Sequence, residues 1–118
     1  MSTFTVRVTL IHPEYRDRSL TVDPLVDTGA TYTLLPADLV AQLGLATPEE
    51  RPGELASGKR VVYRVGEVRV RLGEREYTSI FVEGPAGCPL LLGAVTLEQF
   101  GFAADPVHQR LIPVVATL

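Results

Sequence analysis

The stretch Leu25-Val26-Asp27-Thr28-Gly29-Ala30-Thr31 runs two apolar, strand-forming residues into an Asp-Thr-Gly turn. Such a turn fixes a carboxylate at a strand end, where the backbone is rigid. Gly29 has no Cβ, so main-chain N–H groups can approach the carboxylate and hold it, ionised, in one orientation. Asp and Gly also dominate ordinary turns. From average residue usage, such a tetrapeptide arises by chance in about one chain in 100 of this length. Asp27 alone therefore marks only a candidate, and the elements around it must decide.

Upstream, Phe4, Val6, Val8 and Leu10 alternate with Thr5, Arg7 and Thr9, the period-2 pattern of a strand. His12 to Arg18 is polar and turn-like, Ser19 to Val22 resumes an extended pattern, and Pro24 breaks it. Downstream, Tyr32-Thr33-Leu34-Leu35 is apolar-rich and leads into Pro36 to Gly44, with Pro where a first helical turn accepts it and Gly where a helix stops. Thr96-Leu97-Glu98-Gln99-Phe100-Gly101 predicts a second, short helix with a Thr cap, Gln three residues later and a terminal Gly. Between them a Gly/Pro/Glu-rich segment spans Thr47 to Gly58. Strands are predicted over Val61 to Leu72 and Tyr77 to Val82, joined by a turn at Gly73-Glu74-Arg75. Leu111 to Val115 reads as a last strand, whose Pro113 favours an edge or a strand start. Many short strands with turn signals between them, and one or two short helices, predict an all-β sandwich or partly closed barrel.

The 118 residues predict a single domain, 1–118, large enough to bury a core without disulfide or metal staples. Hydrophobic residues make up 46% and charged residues 21%, which excludes the disordered class. The net charge is -3 and the charges are scattered without a basic stripe, so no nucleic-acid partner is expected. A lone Cys88 excludes an intrachain disulfide framework and fits a reducing compartment. Met1 to Arg7 lacks the basic and apolar regions of a signal peptide, and no apolar run approaches the roughly 20 residues of a membrane span. A cytoplasmic protein without membrane attachment is the expectation.

Several other leads fall away. Gly53 to Arg60 nearly spells a phosphate-binding loop, but it ends in Arg60 rather than Ser or Thr, follows Pro52 rather than a strand, and leads into Val61-Val62 rather than a helix. His12 and His108 are far apart, with no second Cys or His at ligand spacing, so no metal site is expected. Cys88 lies in Gly-Cys-Pro, with no helix N-terminus to activate it, and reads as a buried or half-buried thiol. Tyr63, Tyr77, Phe81 and Phe100 read as core or pocket-wall residues.

A second feature strengthens Asp27. Leu90-Leu91-Leu92-Gly93 is an apolar run closed by Gly, some sixty residues downstream and just before the second helix. Alone it would be a buried strand with a turn. The two features arrive in order, each preceded by a hydrophobic strand and followed by a helix, which chance explains poorly. At these residues, and at Leu34-Leu35-Pro36 and Ala56-Ser57-Gly58-Lys59, the chain resembles the retropepsin-like aspartic proteases, including the bacterial single-domain members. By element order the resemblance covers roughly Phe4 to Val114; it is specific at Asp-Thr-Gly and Leu-Leu-Gly. It implies an all-β acid-protease barrel with half a site per chain. It also implies that Asp27 is catalytic, that Gly29 supports it through the backbone beside Ala30, and that Thr28 grips its counterpart across a dimer axis. Leu91, Leu92 and Gly93 would pass behind the catalytic loop, and Ala56, Ser57 and Gly58 would form a flap over bound peptide. Two departures stand out: Ala94 follows Gly93 where relatives often carry a polar or larger residue, and the flap region is poor in glycine.

In such enzymes two carboxylates within about 3 Å share one proton, because both cannot ionise at that distance. This chain has one Asp-(Thr/Ser)-Gly, so the resemblance implies a homodimer with one Asp27 from each copy. The terminal stretches, Thr3 to Val8 and Leu111 to Val115, have the β-prone composition to interleave there. The expected function is hydrolysis of an extended peptide or protein substrate, with no cofactor. The alternative is a non-catalytic retropepsin-like module that dimerises or binds peptides, since fold alone does not confer activity.

Overall fold

A computed structural model describes residues 3–118, so Met1 and Ser2 of the N-terminal stretch lie outside the described residues. Ten strands and two helices follow in the order β1 (Val8–Ile11), β2 (Ser19–Val22), β3 (Leu25–Val26), β4 (Thr33–Pro36), α1 (Ala37–Leu43), β5 (Glu49–Glu54), β6 (Arg60–Leu72), β7 (Arg75–Gly84), β8 (Leu91–Leu92), α2 (Ala94–Phe100), β9 (Phe102–Asp105) and β10 (Arg110–Pro113). The all-β expectation holds, with two short helices.

The main sheet runs β2-β1-β6-β7-β4-β8-β3, with β5 added to the far half of β6. Its backbone is the long β6–β7 hairpin, paired antiparallel from Arg64↔Glu83 to Leu72↔Arg75. Alternation sets its faces: Val68 and Val70 are wholly buried, while Glu67 and Arg71 are exposed and Arg69 is half-buried. The turn is tighter than the sequence reading: Arg75 is already the first residue of β7, and Gly73 takes a left-handed φ of 62°. The inward side chains join Leu10, Leu35, Val40, Leu43, Phe81 and Phe100 in the principal core. Phe81 and Phe100 are core residues as expected. Tyr77, 40% exposed, packs edge-on against Phe100 at a centroid distance of 4.9 Å.

Several elements differ from the sequence expectation. The Thr47 to Gly58 segment contains a real strand, β5, which pairs with β6 from Glu49↔Val65 to Glu54↔Arg60. The second helix begins at Ala94 with Gly93 as its cap, so Thr96 is not a cap but a wholly buried residue in its first turns. Pro36 is likewise the extended cap of α1 rather than its first residue. Gly44 and Gly101 do end the helices, both in the left-handed conformation. At the C-terminal side, Arg110–Pro113 pairs with the unanticipated β9 as a two-stranded ribbon, Pro113 opposite Phe102. Both ribbon strands are edges, which suits Pro113.

His12, only 7% exposed, is a turn-former: its Nδ1 accepts the Glu14 and Tyr15 N–H groups at 3.0 and 3.1 Å. His108 sits in the β9–β10 turn, with Nδ1 2.8 Å from Asp105 Oδ2. Among the described residues no group of His, Cys, Asp and Glu is arranged to hold a metal, and no helix is long and apolar enough to cross a membrane.

Candidate active site

The crossing at β3, β4 and β8 positions Asp27. β3 and β4 flank the loop 27–32, and β8 passes between them, parallel to β3 (Leu25↔Leu91, Val26↔Leu92) and antiparallel to β4 at Leu34↔Leu91. Short apolar strands suit this place, because β8 must bury itself between two neighbours. Leu92 is 1% exposed and packs with Val26, Phe4 and Leu97 in a second core cluster beneath the loop.

Backbone hydrogen bonds then fix the loop. The Asp27 N–H donates to the Leu92 carbonyl at 3.1 Å and the Ala30 N–H to the Asp27 carbonyl at 3.2 Å. The Gly29 N–H donates to Asp27 Oδ1 at 2.9 Å, the contact the sequence anticipated. A Cβ on Gly29 would sit 3.2 Å from that oxygen, so glycine leaves the donor room to approach. The loop is held from the far side by α2, whose Ala94 and Val95 N–H groups donate to the Ala30 and Thr31 carbonyls at 2.8 and 2.9 Å. Ala94, the departure from the resembled pattern after Gly93, thus acts through its backbone.

Gly93 is buried in extended backbone at the point of closest approach. A Cβ there would lie 2.3 Å from the Tyr32 carbonyl carbon and 2.5 Å from its oxygen, so only glycine lets β8 run this close behind the loop. Thr28 is exposed beside Asp27, and both border an open cavity of about 350 Å³ with Thr3, Phe4, Val26, Ala104 and Pro106. The β9–β10 ribbon thus reaches the Asp27 loop.

Ala56, Ser57 and Gly58 occupy the tip of the β5–β6 hairpin. The Leu55 N–H donates to the Lys59 carbonyl and the Gly58 N–H to the Leu55 carbonyl, both at 2.8 Å, with Gly58 at φ 87°. The hairpin exposes Leu55 and Val62, 49% and 66% accessible, although both are apolar. Cys88 is half-buried, and burial first, then the Asp38 carboxylate, pushes its thiol up from the ordinary range, the opposite of activation. Three hydroxyl residues behind the loop, Thr33, Ser79 and Thr96, were not anticipated. Each reads in the sequence as a β-prone or capping residue, and only the register brings them together.

A strand threaded between the two arms of a single Asp-Thr-Gly loop, with a long hairpin beside it, defines a retropepsin-like acid-protease fold. Among solved structures, EIAV protease complexed with the inhibitor HBY-793 superimposes with a TM-score of 0.58 at 20% identity, over 82% of this chain and 86% of that one. Curated proteins yield no sequence match. A family description, Aspartyl protease, matches residues 15–94, which include both Asp27 and Gly93. The chain belongs to the aspartyl protease family.

Proposed function

We propose that the protein is an endopeptidase that acts as a homodimer, with Asp27 of each copy forming the catalytic pair. The carrying observation is the Asp27 loop: its carboxylate is aimed by the Gly29 N–H and its backbone is clamped by Leu92, Ala94 and Val95, yet it opens to solvent. A pure turn would need none of that bracing. One copy would then hold half a site, with the cavity of about 350 Å³ beside Asp27 as its share. The larger cavity, about 550 Å³, lies elsewhere, by His12, Arg18 and Gly66.

In the dimer, one carboxylate would take a proton from a water held between the pair as that water attacks the peptide carbonyl. The partner carboxyl would protonate the carbonyl oxygen, and the proton taken up would pass to the leaving amine. Thr28, exposed next to Asp27, would meet its counterpart across the two-fold axis. The hairpin tip at Ala56, Ser57 and Gly58 would close as a flap over an extended peptide bound through main-chain hydrogen bonds, its exposed Leu55 and Val62 gaining apolar cover. No step requires a cofactor.

The test is a peptide-library assay of wild type and Asp27→Asn from acid to neutral pH, with the mass in solution measured alongside. Wild type should cleave as a dimer, and Asp27→Asn should lose at least about 100-fold in rate. Undiminished cleavage by the variant would refute the pair. A dimer that binds peptides and cleaves none would instead be the non-catalytic module.

A further inference from the structure

Behind the Asp27 loop, three hydroxyls beyond reach of any substrate form one continuous hydrogen-bonded line. Thr33 Oγ1 on β4 lies 2.6 Å from Thr96 Oγ1 on α2, which lies 2.7 Å from Ser79 Oγ on β7. All three residues are at most 1% exposed. At one end Thr33 Oγ1 accepts the Gly93 N–H at 3.1 Å; at the other, Ser79 donates to the Ile80 carbonyl at 3.4 Å.

The ends fix the direction. The Ile80 carbonyl can only accept, so the Ser79 proton points to it and Ser79 must accept from Thr96. The Thr96 proton is then committed, so Thr96 accepts from Thr33, whose oxygen already accepts from Gly93. Every proton has one place, and the line runs Gly93 N–H, Thr33, Thr96, Ser79, Ile80 carbonyl. Buried hydroxyls cost stability unless satisfied, and apolar residues would fill the same space without that demand. What the line adds is a directional tether from the long β6–β7 hairpin to Gly93.

We propose that Thr33, Thr96 and Ser79 are positioning residues for the catalytic aspartate, an inference that rests on reading Asp27 as the catalytic carboxylate. The path is short. Gly93 follows Leu92, whose carbonyl holds the Asp27 N–H, and precedes Ala94 and Val95, whose N–H groups hold the Ala30 and Thr31 carbonyls. Tethering Gly93 sets both sides of the loop at once. Two copies of Asp27 must converge on one water, and small misplacements of a reacting group cost rate steeply.

Thr96→Val removes both central links with little change of shape, and Thr96→Ser restores the hydroxyl. On folded dimers, verified by mass and melting, Thr96→Val should lower kcat about tenfold with KM within about twofold, and Thr96→Ser should recover it. Wild-type kcat in dimeric Thr96→Val would overturn the proposal. Should that variant not fold, Ser79→Ala removes the Thr96–Ser79 and Ser79–Ile80 links, leaves Thr33–Thr96 in place, and should lower kcat by a smaller factor; an unmoved kcat there would overturn it equally. Amide exchange at Gly93 reads the tether itself and should quicken about tenfold in either variant, while unchanged protection would count against it. A wild type that cleaves nothing would be a failure of the Asp27 reading, separable from a failed tether by that exchange measurement.

Discussion

At Gly93 a single hydrogen in place of a methyl group decides whether the site can assemble. The site for a Cβ there is already occupied by the Tyr32 carbonyl, 2.3 Å from its carbon, and this is backbone with no rotamer to yield. Gly93→Ala should therefore push β8 away from the loop and cost about 3 kcal/mol or more, at the upper end for overpacking. Urea unfolding of the two proteins checks it, and a loss below about 1 kcal/mol would mean that the crossing is looser than described. Asp27 and Gly93 were both legible in the sequence, because an Asp-Thr-Gly turn and an apolar run ending in Gly are local patterns. Thr33, Ser79 and Thr96 were not. A Thr on a strand announces only β propensity, and its partner 63 residues away is fixed by the threading of β8, which no local pattern encodes.

Among the elements, the β1–β2 turn is fastened to the outer face of the β6–β7 hairpin by one carboxylate. Glu76 accepts from Arg16 at 2.8 and 3.0 Å, from Arg69 at 3.0 Å and from Arg71 at 3.2 Å. Hydrogen bonding from Arg16, helped by Arg69 and opposed by burial, lowers its carboxyl from the usual 4.5 to about 2. A carboxyl lowered on folding contributes stability above its unfolded value and loses it as pH falls through the folded one. Glu76→Gln should therefore destabilise by about 1 kcal/mol at pH 6, and the gap to wild type should close between pH 4.5 and 2. Melting both proteins across that range is the check; a gap that ignores pH would show that the ion pairs contribute nothing. Elements with clean alternation, β6 and β7 above all, were legible before the structure. β5 was not, because Pro52 and Gly53 are poor strand formers and Glu49, Glu50 and Glu54 disguise a hairpin arm held almost wholly by pairing to β6. The cap of α2 lies three residues before the expected Thr96 because it is the glycine that must also pass behind Tyr32, so the Thr signal pointed to the wrong role.

For the whole molecule, the proposed half-site per chain would make activity a property of pairs. The described surface leaves apolar groups uncovered: Leu55 and Val62 on the β5–β6 hairpin, and Ile112, Val114 and Val115 along the C-terminal stretch. The β9–β10 ribbon that carries Ile112 borders the same cavity as Asp27 through Ala104 and Pro106. With a net charge of only -3, repulsion between two copies is weak. A two-fold partner seated at the ribbon would cover Ile112, Val114 and Val115 and bring the second Asp27 at one stroke. The C-terminal strand already has an in-chain partner in β9, so any interleaving of termini must use the ribbon's free edges. The pairing can be read from kinetics alone. Wild type and Asp27→Asn, unfolded and refolded together at constant total concentration, should distribute randomly between dimers. If each active site needs both carboxylates, an equimolar mixture should retain about a quarter of the all-wild-type rate, the fraction of dimers with two intact chains. Independent active sites in each chain would retain about half. The rate should also fall faster than linearly when wild type is diluted through the dissociation range of the dimer. A quarter in the mixture with a linear dilution series would mean a dimer too tight to dissociate under assay; a half with a linear series would mean that Asp27 works without its copy, and the shared-site mechanism would have to be abandoned.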